Sequence, residues 1–144
     1  IIRNYRGFSL IELMVVIVIL GILAGMIVPR FMGRTDDAKL MKAKVDIAAL
    51  ETALKLYRLD NGAYPSTEQG LKALITPPDK EGGSGNWQKG GYIEKSSLPK
   101  DPWSNEYIYL CPGTHDDFEI ISYGADGVPG GEGINKDIKS WEIE

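Results

Sequence analysis

The 144-residue sequence predicts an α+β protein, in which a long N-terminal α-helix, membrane-spanning in its first half, packs on a small antiparallel β-sheet head. Three observations predict this class: a run from Phe8 to Val28 in which Glu12 is the only charge, a helical apolar repeat that follows it, and short β-rich runs between Gly and Pro turns towards the C-terminus. The corresponding segments are 1–7, a leader remnant; 8–29, the membrane-spanning and assembly helix; 30–62, its amphipathic continuation; and 63–144, the head.

Composition supports a two-part molecule. Apolar residues make up 43% of the chain, but they are concentrated before Pro29, and the remainder is polar and rich in Gly and Pro. Subtracting a membrane segment leaves material for one modest head. A net charge of -4 gives no reason to expect nucleic acid as a partner, since such binding normally leaves a basic footprint. The single cysteine, Cys111, excludes an internal disulfide and any cysteine-based metal cluster.

As an α-helix, Phe8 to Val28 would be about 32 Å long, roughly the hydrocarbon thickness of a bilayer. A cleaved secretory signal is the plainer alternative, but the apolar run is long for one and no A-x-A-like site closes it. Residues 1–7, IIRNYRG, carry Arg3 and Arg6, lack Met and read as the tail of a leader. A carboxylate within a membrane helix costs about 2.5–3.5 kcal/mol on insertion scales, so Glu12 requires an explanation. Either it lies near enough to the end of the span to reach the headgroups, or it meets a cation. No Lys, Arg or His lies inside the span, so a cation must come from outside this helix, and a new α-amino group at Phe8 of an adjacent subunit would serve.

The string Gly7-Phe8-Ser9-Leu10-Ile11-Glu12, followed by a continuous apolar run, is similar to the prepilin peptidase signature shared by type IV pilins and type II secretion pseudopilins. The resemblance implies cleavage after Gly7 on the cytoplasmic side, methylation of the new N-terminal Phe8, and an assembly role for Glu12, the fifth residue counted from Phe8. Five basic residues from Arg30 to Lys44 follow the span while Arg3 and Arg6 precede it, a count that favours the opposite orientation. The cleavage motif outranks that count, because the leader is read as truncated.

Beyond the span, Leu40, Ala43, Ile47, Leu50, Leu54 and Tyr57 form one stripe at helical spacing. Val45, Ala49, Thr52, Leu56 and Leu59 form a second, roughly 140° away. Two stripes fit contact with the chain's own head and with neighbouring subunits, or a helix buried deeply in its own head. Asn61-Gly62 suits a C-terminal cap, and an unbroken helix from Phe8 to that point would reach about 80 Å. Pro29, helped by Gly21, Gly25 and Gly33, predicts a looser segment over residues 21–34, either an ordinary kink or an element that stretches on assembly.

In the head, residues 67–74 read as a short helix capped by Ser66 or Thr67 and stopped by Pro77-Pro78. Residues 79–91 read as a flexible connection. Glu106 to Leu110 and Phe118 to Tyr123 read as antiparallel strands, with Ser140 to Ile143 a last short one. The loop 124–138, GADGVPGGEGINKDI, joins five glycines to Asp126, Glu132, Asn135 and Asp137. Hard cations take carboxylate and carbonyl oxygens, so the loop could wrap an ion; equally, it could be a solvated turn, since the EF-hand spacing is absent.

TEQGLKAL at 67–74, GGYI at 90–93, LPKDPW at 98–103 and SYGADG at 122–127 resemble the major pseudopilins of type II secretion, and with the N-terminal signature the resemblance covers nearly the whole chain. It implies a pilin-like fold and calcium in the Gly-rich loop, with Asp126, Asp137, the backbone oxygen of Tyr123 and the region of Asn135 as ligands; Lys136 stands where some relatives carry an acid. It also implies a homopolymeric periplasmic filament that helps export folded proteins, with a prepilin peptidase, minor pseudopilins, an inner-membrane platform and, before assembly, membrane lipid as partners. A surface pilus subunit and a membrane-anchored calcium-binding or enzymatic domain are the alternatives. No catalytic set is legible: His115 stands alone in a loop, Cys111 has no activating partner, and the glycine strings match no phosphate loop.

Overall fold

The structure, a computed structural model, describes residues 7–78 and 86–143, and the side chains of all but 27–32 among them. Arg3, Arg6 and most of the expected flexible connection lie outside the described residues. The chain divides into two compact units, Ile1–Asp37 and Ala38–Glu144.

Helix α1 runs from Leu10–Asn61 and is assigned helical through Gly21, Gly25, Pro29 and Gly33. The looser segment expected there does not break it: a proline removes one backbone bond, and the turns on either side retain theirs. In the first unit every side chain from Gly7 to Met26 is exposed, Phe8 and Leu10 most of all. Among the described residues no helix is long and apolar enough to cross a membrane. The apolar run continues in the sequence to Val28, within the stretch whose side chains lie outside the description. At its C-terminal end α1 stops as the sequence indicates: Gly62, at φ +83, donates its N–H to the Arg58 carbonyl at 2.8 Å, and Asn61 Nδ2 donates to the Tyr57 carbonyl.

In the second unit, α1 buries the first stripe and leaves the second bare. Ala43, Ile47 and Leu54 are fully buried and Leu50 and Tyr57 nearly so, whereas Val45 is 59% and Leu59 79% exposed. The second stripe therefore does not serve this chain's own core. Ala53 joins the buried face between the stripes. Full burial of a Leu or Ile side chain contributes about 1.5–3 kcal/mol, so Ile47, Leu50, Leu54, Leu74 and Ile120 far outweigh exposed pairs such as Lys42–Asp46, worth about 0–1 kcal/mol.

The stripe faces a three-stranded antiparallel sheet of β1 (Ile108–Leu110), β2 (Glu119–Ser122) and β3 (Ile138–Lys139), in that order. Tyr109 pairs with Ile120 and Ser122 with Ile138, placing these four buried residues on one face. The strands expected at 106–110 and 118–123 are present, trimmed at their ends. The last is a correction: Ser140–Glu142 is a 3-10 turn and the strand precedes it, because the buried Ser140 hydroxyl caps the Ile120 N–H at 3.0 Å where a ladder bond would otherwise run. The short helix at 67–74 is also corrected. Ser66 and Gln69 exchange reciprocal backbone–side-chain bonds, a capping box, but Gly70 at φ +62 ends that turn and only Leu71–Leu74 coils on, as a 3-10 helix.

On the opposite face of β2 lies Glu119, 3% exposed, accepting from the Thr114 and His115 N–H groups at 2.8 and 2.7 Å and lying 2.7 Å from His115 Nδ1. The His115 ring stacks on Trp141. Burial alone would raise the Glu119 pKa; the His115 ring and the two backbone donors outweigh it and hold the carboxyl below its ordinary value. A carboxylate with a depressed folded-state pKa contributes stability that is present above its unfolded value and is lost as pH falls through the folded one. The hairpin is therefore expected to lose stability below about pH 4.5, and a Glu119→Gln variant to lose this acid dependence, both read from urea midpoints across pH.

Candidate functional site

Two clusters carry the residues that the sequence singles out, one in each unit. In the first, Ser9 precedes the first helical residue. Its N–H donates to Glu12 Oε2 at 2.8 Å, and the Glu12 N–H donates to Ser9 Oγ at 3.2 Å. This is a capping box, and it satisfies two backbone donors that a helix start leaves open. The sequence reading looks for a cation outside this helix and does not single out Ser9, although Ser-x-x-Glu ahead of an apolar run is the legible signal. Hydrogen bonds of this kind stabilise by about 1 kcal/mol, less than the 2.5–3.5 kcal/mol that a carboxylate within a membrane helix would cost. Among the described residues Glu12 forms no ion pair.

The second cluster is the loop after β2. Gly124, at φ +67, lies so close to the 3-10 turn Gly133–Asn135 that a Cβ there would meet the Ile134 oxygen at 2.7 Å, and one at Gly131 would meet the Asn135 oxygen at 2.6 Å. Only glycine fits this approach, and the Ala125 N–H closes it with a 2.9 Å bond to the Ile134 carbonyl. Both Asp137 oxygens accept from the Gly130 N–H at 3.0 Å, and Asp126 Oδ1 accepts from the Val128 N–H at 3.2 Å. The loop thus carries two carboxylates, each bonded to a backbone N–H of the same loop, beside the carbonyls of Ile134 and Asn135. Among the described residues no group of three or more His, Cys, Asp or Glu could hold a metal ion, so any ion here would depend on backbone oxygens for most of its shell.

A capped apolar helix bearing an acid near its start, followed by a stripe-on-sheet head with this loop, is matched along the chain. Residues 30–141 match the family model for type II secretion system protein G, and residues 2–28 match the prokaryotic N-terminal methylation motif. The chain belongs to the type II secretion protein G family. It is 53% identical over 140 residues to type II secretion system core protein G of Pseudomonas aeruginosa, covering 97% of each chain. The Vibrio cholerae protein of that name is 50% identical over 142 residues, covering 99% of this chain and 95% of the other. The crystal structure of the major pseudopilin from the type 2 secretion system of enterohaemorrhagic Escherichia coli superposes with a TM-score of 0.65 at 45% identity, covering 76% of this chain and 92% of that one.

Protein G chains of this family are structural pseudopilin subunits, and this one is not an enzyme. Gly7 and Phe8, the expected processing site, are exposed at the start of the described chain. Gly21 and Pro29 stand within continuous helix, while Asp126, Asn135 and Asp137 share one loop with Tyr123 at its entrance. The sequence reading did not find the buried polar residues that support this loop: Asp101, 4% exposed, and Ser122, fully buried, joined at 2.8 Å. The signal that could have found Asp101 is its turn string Asp-Pro-Trp-Ser-Asn, in which an Asp can bond its own backbone two residues on.

Proposed function

We propose that this chain is the main subunit of the type II secretion pseudopilus, polymerising through its N-terminal helix into a periplasmic filament that helps move folded proteins across the outer membrane. Family membership supports the secretion role, and the observation that carries the polymer is the bare second stripe, with Val45, Leu56 and Leu59 exposed on α1 while the opposite stripe is buried. A stripe of that kind on a single chain is unfinished packing, and further copies of the same helix would cover it. Before assembly the Phe8 to Val28 run lies in the inner membrane with the head in the periplasm. A prepilin peptidase cuts after Gly7 and the Phe8 amine is methylated. Minor pseudopilins and the inner-membrane platform are the other partners. The mature chain is expected to begin at Phe8 with one methyl group on its amine, by mass measurement of the N-terminal peptide; a mature chain that keeps Gly7 and the residues ahead of it would contradict the processing step. Electron microscopy of cells overproducing the chain tests the polymer: thin helical filaments are expected, and a purely monomeric membrane protein would refute it.

Calcium is the proposed ligand of the 124–138 loop. The donor chemistry fits, with the carboxylates of Asp126 and Asp137 and backbone oxygens near Tyr123 and Asn135. When bound, the ion offsets the repulsion of the two carboxylates and ties the glycine-rich loop to the sheet. Lys136 points to fewer acidic ligands than some relatives have, and so to greater reliance on carbonyls.

A further inference from the structure

The turn that precedes β1 is wired to the loop that follows β2. Asp101 Oδ1 accepts the N–H groups of Trp103 at 3.0 Å and Asn105 at 2.8 Å, and its own N–H donates to the Asn105 carbonyl at 2.9 Å. Those bonds hold Ser104 at φ +71, a conformation that a serine adopts only under constraint, so the turn is fixed from several sides. From this anchor two arms reach Gly124. The Ser122 hydroxyl donates to Asp101 Oδ2 at 2.8 Å and accepts the Gly124 N–H at 3.3 Å. Asn105 Nδ2 donates to the Gly124 carbonyl at 3.2 Å, and the same side chain lies 3.4 Å from where a Cβ on Gly127 would stand. Both polar groups of Gly124 are therefore held by one ring of bonds through the buried Asp101 and Ser122 and the partly buried Asn105, and the stretch carrying Asp126 rests on Asn105.

We infer that Asp101, Ser122 and Asn105 are positioning residues for the ion-binding loop. They touch no proposed ligand atom; they set the backbone direction on either side of Tyr123 and before Asp126, so that the Tyr123 carbonyl and the Asp126 carboxylate present to one ion without first ordering the loop. The inference rests on the calcium reading above. Groups that orient ligands from behind typically change metal affinity by 10–100-fold, because the loop must otherwise be ordered at the expense of binding.

Calorimetric titration of calcium alone into the full chain in detergent micelles tests it. Ser122→Ala and Asn105→Ala should each weaken binding by about tenfold or more. Thr67→Ala, which removes a hydroxyl bonded to both the N–H and carbonyl of Cys111 at the other end of β1, should lower the melting temperature and leave calcium affinity unchanged. Terbium in place of calcium, read by its luminescence lifetime in light and heavy water, should carry an additional bound water in Ser122→Ala, where a displaced protein oxygen has been replaced. Parent-like affinity in both variants, or an affinity loss in Thr67→Ala equal to theirs, would overturn the positioning role while leaving the calcium reading standing. A parent chain that takes up no calcium would overturn both.

Discussion

Replacing Glu12 by Gln is expected to stop filament assembly about as completely as replacing it by Ala, while both variants still enter the membrane. The two substitutions separate the capping role that the structure shows for this side chain from the charge pairing proposed for it. Gln keeps the capping box with Ser9, since a neutral amide oxygen accepts the Ser9 N–H as a carboxylate does; Ala loses it. The cap is worth about 1 kcal/mol, too little to decide whether a helix of 52 residues forms. The negative charge is a different matter. On the proposed account it would cost about 2.5–3.5 kcal/mol in the bilayer, and an amine on an adjacent subunit would recover that cost only when the two chains meet. Insertion should therefore be as good or better in both variants, and filament yield by microscopy and sedimentation should collapse in both. Normal filaments from Glu12→Gln would reduce Glu12 to a helix cap, and the charge-pairing account would fall.

Calcium removal is expected to produce the second large effect. A ligand that binds only the folded state stabilises it by RT ln(1 + [L]/Kd), about 4 kcal/mol at a thousandfold excess over Kd. Loss of this contribution should fall first on residues 124–138, where one backbone N–H each, of Gly130 and Val128, holds Asp137 and Asp126. The stripe of α1 against the sheet should outlast it, because Ile47, Leu54 and Ile120 are buried independently of the loop. Thermal melts of the full chain in detergent, with calcium and with chelator, should differ by many degrees. Asp126→Ala should melt like the chelated parent and ignore calcium. Indifference of the parent to chelator would leave the loop a solvated turn.

The sequence was most legible where one physical rule acts over many residues. The stripe Ala43, Ile47, Leu50, Leu54 and Tyr57 could be read directly because helical spacing repeats along it, and Asn61-Gly62 because a left-handed cap requires glycine or asparagine. Legibility was lower where a local rule competes with a distant partner. Ser140 reads as strand by its neighbours, yet its hydroxyl is committed to Ile120 in another element. Leu71–Leu74 reads as the continuation of a helix, yet Gly70 turns the chain between them. Ring-forming polar residues were least legible, because nothing along the chain places Asp101 next to Ser122, 21 residues away. Glu12 lies between these cases: the apolar run makes its charge conspicuous, while its capping partner Ser9 is legible only from the Ser-x-x-Glu spacing.

The central claim is that this chain serves export by forming a filament, and the most direct measurement is the distribution of secreted proteins in cells from which the chain has been deleted. Exoproteins should accumulate, folded, in the periplasm and vanish from the medium, and the parent chain supplied in trans should restore release while Glu12→Gln should not. Undiminished release from the deletion strain, or full rescue by Glu12→Gln, would contradict the account.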